Sequence, residues 1–454
     1  MKKSEYEQYF KGKRITVMGL GLLGRGIQVT QFLAECGAKL TVTDLKSEKE
    51  LASSVLKLRK YPNIRYVFGK HDLKDFENID IVVKAAGVPL NSEFINHARD
   101  NGVEISMDAS LFAKIAKGVR IVGVTGTRGK SMTTSAIYHL LKSNEDKLKC
   151  KVYVGGNLRG MATLPLLKKV QENDIVVLEL DSWQCQGFGD EKISPHVAVF
   201  TSFMPDHMNY YRGDMKSYFA DKTNIFKYQN PSDALVIRPK MKEWIKKSDA
   251  KGKLIVANKK SLAGVKLKVV GEHQTENMSC AYEVAKLFGL KDTTIKKSLA
   301  TFGGLEGRMQ FLREIKGVKI YNDNNATTPE ATSAGLTALA PGKRQKAKGK
   351  SVILIAGGND KNIPLDGLIR GIKKFTKTVY LIPGNGTDRL VALCQGKKIP
   401  VFLVRNLKHG VHESMHVAKK GDTILFSPAF SSFGLYKNEY ERNDEFVSLI
   451  KKLK

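Results

Sequence analysis

A chain of 454 residues that is 42% apolar and holds only 13 prolines is too long for one hydrophobic core, so about two to four globular domains are expected. No run of 18 uninterrupted apolar residues occurs, which excludes a transmembrane helix on sequence grounds. The net charge of +30 comes mostly from lysines spread along the whole length, densest at Lys343 to Lys350 and in Lys451-Lys452-Lys454. They lack the interleaved aromatics and arginines of an RNA-binding sheet, so a basic surface with some attraction for anionic substrates is expected, and no nucleic-acid partner.

The opening Met1-Lys2-Lys3-Ser4-Glu5-Tyr6-Glu7 is charged and lacks the apolar core of a signal peptide. The first strand is Arg14 to Met18. Gly19-Leu20-Gly21-Leu22-Leu23-Gly24 follows, then a helical stretch from Gly26 to Cys36 and a second strand, Lys39 to Thr43, ending in Asp44. This is a Gly-x-Gly-x-x-Gly fingerprint in a strand–helix–strand context, with a carboxylate twenty positions past the third glycine. The motif reports a diphosphate near a helix N-terminus, so a dinucleotide and a nucleotide-sugar satisfy it equally. Ile79 to Lys84 reads as a further strand, closed by the tight loop Ala85 to Pro89.

A second segment begins near residue 117. The mostly apolar run Val119 to Val122 leads into Gly123-Val124-Thr125-Gly126-Thr127-Arg128-Gly129-Lys130-Ser131, and a helix is expected from Met132 to Leu141. A strand, a glycine-rich turn and a helix N-terminus make a phosphate cradle. Backbone N–H groups and the helix dipole face the anion, Lys130 reaches the terminal phosphates, and the Ser131 hydroxyl can hold Mg²⁺. Val124 stands where the full Walker pattern has glycine, so this is the shorter Gly-Thr-x-Gly-Lys-Ser form. The strand Ile175 to Leu180 carries Glu179 at its carboxyl end, where a carboxylate can complete a Mg²⁺ shell. Strands are also expected at 152–154 and 196–201.

From about Gly304 a third segment carries strands at 318–321, 351–356, 378–382 and Thr423 to Phe426, with glycine-rich turns at Gly357-Gly358 and Gly384-Asn385-Gly386. The alternation of strands and helices predicts an α/β protein with parallel, doubly wound sheets. A lysine-rich, low-complexity loop covers 342–350. The five cysteines, 36, 150, 185, 280 and 394, form no C-x-x-C pair; reduced thiols in the cytoplasm are expected, without a zinc site.

In chain order these motifs resemble those of the Mur ligases over nearly the whole length. Gly126 to Ser131 matches the family's phosphate loop, Val154-Gly155-Gly156-Asn157 its Gly-Gly-Asn element, and Glu179-Leu180-Asp181-Ser182-Trp183-Gln184 its Glu-Leu-Ser-Ser-Phe-Gln. Pro205-Asp206-His207-Met208 and Ala220-Asp221-Lys222-Thr223 correspond to the histidine and lysine segments, and Gly271 to Asn277 to Gly-x-His-Asn-x-x-Asn. Gly304 to Arg308 stands for Gly-Leu-Pro-His-Arg, Tyr321 to Thr327 for the Asn-Asp-Ser-Lys-Ala-Thr run, and Ser427-Pro428-Ala429 through Lys437-Asn438 and Arg442 completes the series.

The resemblance implies three domains around a central cleft: 1–116, Rossmann-like, for a UDP-linked substrate; 117–303, a P-loop ATPase domain with a mostly parallel sheet; and 304–454, Rossmann-like, for the amino acid. The last would swing closed on ATP to exclude water, and a monomer is expected. The implied reaction joins D-glutamate to UDP-N-acetylmuramoyl-L-alanine through an acyl phosphate, releasing ADP and phosphate, as in peptidoglycan synthesis. Lys130, Glu179, His207 and Lys222 would be catalytic. Gly126, Thr127, Arg128, Gly129, Lys130, Ser131, Thr133, Asn277, Arg308 and Asp323 would bind ATP. Two Mg²⁺ ions would fall to Ser131, Glu179, His207 and Lys222, the lysine as a carbamate, which requires a neutral amine. Gly21, Leu22, Leu23, Asp44, Asn157, Ser182 and Gln184 would hold the UDP substrate, and Thr327, Lys361, Ser432 and Phe433 the amino acid.

Five positions depart from the family pattern. Asp181 replaces a serine and adds a negative charge, Asn325 replaces a lysine and removes a cation, and Arg128, Pro205 and Asn209 stand where asparagine, glutamate and aspartate are usual. The phosphate machinery is left intact by these changes, which bear instead on the acceptor. A related ligase taking another amino acid, such as L-glutamate, is the alternative reading. A nicotinamide oxidoreductase, suggested by the first glycine motif alone, would have no use for Lys130, Glu179 and His207.

Overall fold

The computed structural model describes residues 3–22, 24–158, 160–339, 351–397, 399–432 and 434–453. Leu23, Phe433 and the lysine-rich 342–350 stretch lie outside the described residues. The chain divides into two compact units, Met1–Ala263 with Glu276–Ser298, and Gly264–Thr275 with Leu299–Lys454.

The first unit carries two sheets. β1 (Arg14–Met18), β2 (Lys39–Asp44), β3 (Ile64–Phe68), β4 (Ile81–Lys84) and β5 (Glu104–Ser106) are ordered β3-β2-β1-β4-β5, every pair parallel. The order reverses between β1 and β4, which opens a crevice at their carboxyl ends, where such sheets bind ligands. The second sheet is β6 (Arg120–Thr125), β7 (Val152–Gly156), β8 (Ile175–Glu179), β9 (Val197–Phe200), β10 (Ala234–Ile237) and β11 (Lys253–Val256), ordered β11-β10-β9-β6-β8-β7 and again parallel throughout. Its central strands are buried at every position of β8 and β9, which is why they read as unbroken apolar runs.

In the second unit β12 (Gln310–Ile315), β13 (Val318–Asn322), β14 (Val352–Gly357), β15 (Thr376–Ile382), β16 (Phe402–Leu403) and β17 (Thr423–Phe426) form a sheet ordered β12-β13-β17-β14-β15-β16. Here the expectation of parallel strands fails at one edge. β12 runs antiparallel to β13 through a tight turn at Lys316-Gly317, because two residues cannot hold the crossover a parallel pair needs. The other pairs are parallel.

A single cluster of buried side chains runs through both sheets of the first unit, from Phe10, Val17 and Phe32 through Leu111, Phe112 and Leu164 to Leu178, Phe188 and Phe200. A buried carboxylate stitches the same region. Asp108, at the start of the helix Asp108–Ile115, accepts the backbone N–H groups of Thr163 and Leu164, each at 2.7 Å. Asp108→Ala would leave both amides unsatisfied and is expected to lower stability by about 1–3 kcal/mol in denaturant titration, with Asp108→Asn losing less because its carbonyl still accepts. An unchanged midpoint in the alanine variant would refute this role.

Candidate active site

β6 feeds the phosphate loop and the helix Lys130–Lys142. Gly126 has φ +138°, and a Cβ there would lie 2.2 Å from Thr201 Oγ1 and 2.8 Å from Ser202 N, so the turn admits only glycine. The loop is anchored to the segment after β9. Thr127 N donates to Ser202 O at 2.7 Å, Thr127 Oγ1 to Met204 O at 3.1 Å, and Arg128 N to Ser202 Oγ at 2.8 Å, while the Arg128 side chain is exposed.

Lys130 turns back over its own loop, donating to Gly126 O at 2.9 Å and Thr127 O at 3.2 Å. Lys222, on the helix Met215–Thr223 and only 1% exposed, donates to the same Gly126 O at 3.2 Å. Burial pushes Lys222 down to about 8, and the charge of Lys130 adds to the shift; burial also lowers Lys130, against the pull of Glu179, Asp181 and Asp206. Two ammonium groups crowding one carbonyl make a pole suited to a multiply charged anion.

Glu179, 4% exposed, closes β8, and its backbone oxygen accepts Asn157 N at 2.6 Å from the turn after β7. Two residues on, Asp181 caps the helix Ser182–Asp190. Its Oδ1 accepts Gln184 N at 2.8 Å and Gln184 Oε1 accepts Asp181 N at 3.3 Å, a reciprocal capping box. Gln184, expected at the substrate, is thus occupied in the helix cap and buried; Ser182 is buried beside it. The aspartate that departs from the family pattern has a local structural use.

His207 follows β9 in the loop to the Lys222 helix, with φ +54° and its ring 4.6 Å from that of Trp183. Among the described residues no group of three or more His, Cys, Asp and Glu side chains is placed to hold a metal ion. Ser131, Glu179, His207 and Lys222 instead offer one buried carboxylate, one imidazole, one hydroxyl and one amine. Such a set fits Mg²⁺, which takes one or two protein ligands and fills its octahedron with phosphate oxygens and water.

Asn277 lies under the phosphate loop, 1% exposed, its Oδ1 accepting from Thr133 Oγ1 at 3.1 Å and from the Arg238 guanidinium. Arg238 in turn pairs with Glu276 at 3.3 Å. Nothing in the local sequence around Arg238 points to this role; only the spatial approach of residues some forty positions apart reveals it.

At the crevice of the first sheet, Gly21 N donates to Asp44 Oδ2 at 2.9 Å, and Lys46 N to Asp44 Oδ1 at 3.0 Å. Leu22 is 52% exposed beside them. Arg25, also missed in the sequence, opens the helix Arg25–Glu35 and donates to Gly156 O and Leu158 O, each at 3.0 Å, so it ties the glycine loop to the Asn157 turn.

In the second unit, Asp323 follows β13 and is buried, with Oδ2 accepting Ser427 Oγ at 2.8 Å and Oδ1 accepting Met309 N at 3.0 Å; burial pushes it up to about 7. Arg308 is exposed next to Met309. Asn359 and Ser431 exchange backbone hydrogen bonds of 3.0 Å, zipping the loops after β14 and β17 together. That brings Lys361 and Ser432 to one end of the sheet, where Lys361 Nζ donates to Thr327 Oγ1 at 3.2 Å. Asn325 is tied to the 304–308 turn, its backbone N donating to Gly307 O at 2.8 Å, while its Oδ1 accepts Asn324 Nδ2 at 3.2 Å.

The comparisons with known proteins agree across the chain. Residues 13–107 match the Mur ligase MurD-like N-terminal domain, 124–261 the Mur ligase middle domain, and 307–430 the Mur ligase glutamate ligase domain. A protein of Roseiflexus sp. (strain RS-1), named UDP-N-acetylmuramoylalanine--D-glutamate ligase, is 32% identical over 97% of this chain and 98% of its own length. The chain belongs to the Mur ligase family. A Clostridium perfringens protein of the same name is 33% identical to this Mur ligase over 98% of each chain. Among solved structures, the UDP-N-acetylmuramate-alanine ligase of Thermotoga maritima superposes on this Mur ligase with a TM-score of 0.59 at 17% identity, over 97% of this chain and 100% of that one. The MurF ligase of the same organism, solved with ADP, gives 0.55 at 17% identity, over 100% and 99%. These two likenesses concern the fold. Among the described residues of this Mur ligase, no helix is long and apolar enough to cross a membrane.

Proposed function

We propose that this Mur ligase joins the amino group of D-glutamate to the alanyl carboxylate of UDP-N-acetylmuramoyl-L-alanine, driven by ATP, in the synthesis of peptidoglycan precursor. The observation that carries the reading is the end-to-end match to relatives bearing that activity in their names, at 97–98% of both lengths. The paired lysines on Gly126 O and the carboxylate of Glu179 support the phosphoryl-transfer half of the chemistry.

In this reading residues 1–116, 117–303 and 304–454 form the UDP-substrate, ATP and amino-acid domains of a cytoplasmic monomer. A donor carboxylate oxygen attacks the γ-phosphorus, the bond to the β-phosphate oxygen breaks, and ADP leaves. The glutamate nitrogen then attacks the acyl carbon, loses a proton, and the C–O bond to phosphate breaks. Two anions must meet in the first step, and the residues of this chain hold them together. Lys130 and the loop amides of Gly126 to Ser131 hold the triphosphate, with Thr133 and Asn277 supporting the loop from below. Ser131, Glu179, His207 and Lys222, the last as its carbamate, would hold Mg²⁺, which would supply charge neutralisation for the two anions. Arg308 and Asp323 serve adenine and ribose. Gly21, Leu22, Leu23 and Asp44 hold the UDP end, and Asn157, Ser182 and Gln184 line the path to the reacting carboxylate, the last through the helix cap. Thr327, Lys361, Ser432 and Phe433 receive the acceptor's carboxylates.

The test is phosphate release from ATP with UDP-N-acetylmuramoyl-L-alanine, with D-glutamate, L-glutamate and other amino acids in parallel arms. Release that needs both the donor and D-glutamate is the expected result; release with a different acceptor alone would replace D-glutamate in the proposal. Lys361→Ala is expected to raise the KM for the acceptor on the order of tenfold to a hundredfold, the worth of one charge-assisted contact to a carboxylate, with the KM for ATP little moved. Equal changes in both constants would count against Lys361 as an acceptor ligand.

A further inference from the structure

The first glycine loop and the Asn157 turn belong to different sheets, and two side chains clasp them together. Gly24 ends the loop with φ +93° and caps the helix Arg25–Glu35. Arg25 and Gln28 follow on one face of that helix, three positions apart. From Arg25, Nε donates to Met161 O at 3.1 Å, and Nη2 to Gly156 O and to Leu158 O at 3.0 Å each. Gln28 uses both ends of its amide: Nε2 donates to Gly160 O at 2.6 Å, and Oε1 accepts Ala162 N at 3.1 Å. Gly156 N closes the base of the turn on Thr163 Oγ1 at 2.9 Å. The backbone of the 156–162 turn is thus held at several points against the helix that the first glycine loop opens.

The clasp also decides which way Asn157 faces. Its Oδ1 lies 3.5 Å from Arg25 Nη2. A guanidinium has donors and no acceptor, so the amide oxygen, and not the amide nitrogen, is the atom turned toward it. Asn157 is exposed, and the edge it keeps for a ligand is the Nδ2 donor pair, which suits a carboxylate or acyl oxygen. Its backbone N donates to Glu179 O at 2.6 Å, at the end of the strand that carries the buried carboxylate. An unbroken set of contacts therefore runs from the first glycine loop through Arg25 to Asn157 and Glu179.

We propose that Arg25 is a positioning residue for the UDP-linked donor, fixing the donor edge of Asn157 at a set place relative to the first glycine loop. A donor held at that loop by its diphosphate then meets Asn157 with its other end. The proposal rests on the ligase reading above and deepens it. Arg25 acts through Asn157 and its turn, so its effect is confined to ligands long enough to span both the loop and the turn. A short ligand held at the loop alone does not sense where Asn157 stands.

The experiment uses the full-length protein and its Arg25→Met and Arg25→Lys variants. It measures KM for the donor and for ATP, and the affinity for UDP alone by titration calorimetry. Methionine keeps the apolar stem and removes every donor; lysine keeps the charge but reaches fewer of the turn's oxygens. Arg25→Met is expected to raise the donor KM by about tenfold or more, with the ATP KM and the UDP affinity each within about threefold of the unaltered protein. Arg25→Lys is expected to raise the donor KM by about threefold to tenfold, a readout that stands even if Arg25→Met does not fold. A side chain that only stabilised the fold would lower the melting temperature and leave the donor KM of the folded protein where it was. A donor KM unmoved in the folded variants would overturn the proposal. So would a loss of UDP affinity as large as the loss for the donor, which would make Arg25 a direct ligand of the diphosphate. An equal rise in the ATP KM would also overturn it. Donor-dependent turnover in the unaltered protein separates these outcomes from failure of the ligase reading, since its absence would overturn that reading and this one with it.

Discussion

Lys130→Ala is expected to lower donor-dependent phosphate release by about 10³-fold or more while the protein stays folded. The size of the loss follows from where the ammonium stands, on the carbonyls of Gly126 and Thr127 at the mouth of the loop, next to the helix N-terminus. The fold loses little by its removal. Lys130 and Lys222 repel each other across one carbonyl, so the melting temperature should stay level or rise slightly. A folded Lys130→Ala protein that keeps most of its turnover would remove the phosphate-loop assignment altogether.

The second large effect is expected at Lys222. Its amine is buried, lies 4.9 Å from the centre of the Tyr218 ring, and is pushed down to about 8 by burial and by Lys130, so that a fraction is neutral at physiological pH. A neutral amine in that position can add CO₂, and the resulting carbamate would carry a carboxylate into a site otherwise rich in cations. Lys222→Ala should lower turnover by about a hundredfold or more, and a small carboxylate such as acetate, entering the space left by the side chain, should return part of it. Lys222→Arg, which keeps a cation but cannot form a carbamate, should be as inactive as alanine. Full activity in the arginine variant would mean that the positive charge itself is what the site uses.

The parts of the fold legible in the sequence are those where chemistry is concentrated in a few adjacent residues. The glycine loop after β1, the phosphate loop after β6 and the apolar run of β8 declare themselves, because a turn against an anion demands glycine and a doubly covered strand demands unbroken apolar residues. The strands that went unread are chiefly marginal ones. β11 is exposed at three of its four positions and β16 at both of its residues, and both lie at the edges of their sheets, where one face and one backbone row meet water. Of the site, Lys130 and Glu179 follow from local pattern alone. Arg25, Asp108 and Arg238 do not, since each acts on atoms far away in sequence and nothing beside them marks it. Gln184 is a different case: Asp181-x-x-Gln184 is itself a capping pattern, so its structural use was readable from the same residues that suggested a substrate contact.

The buried cluster that runs from Phe10 and Val17 to Leu178 and Phe200 has a thermodynamic consequence. The first sheet keeps a cluster of its own around Phe76, Val82 and Ile95, but the shared interior is far larger, so neither of the first two sheets can melt without exposing apolar surface of the other. The third sheet, by contrast, has separate clusters on its two faces, one around Leu354 and Leu381 and one around Ile353 and Phe446. Calorimetry should therefore register residues 1–263 together with 276–298 as one cooperative transition, and a break in the chain near residue 116 should leave two sticky halves rather than two small proteins.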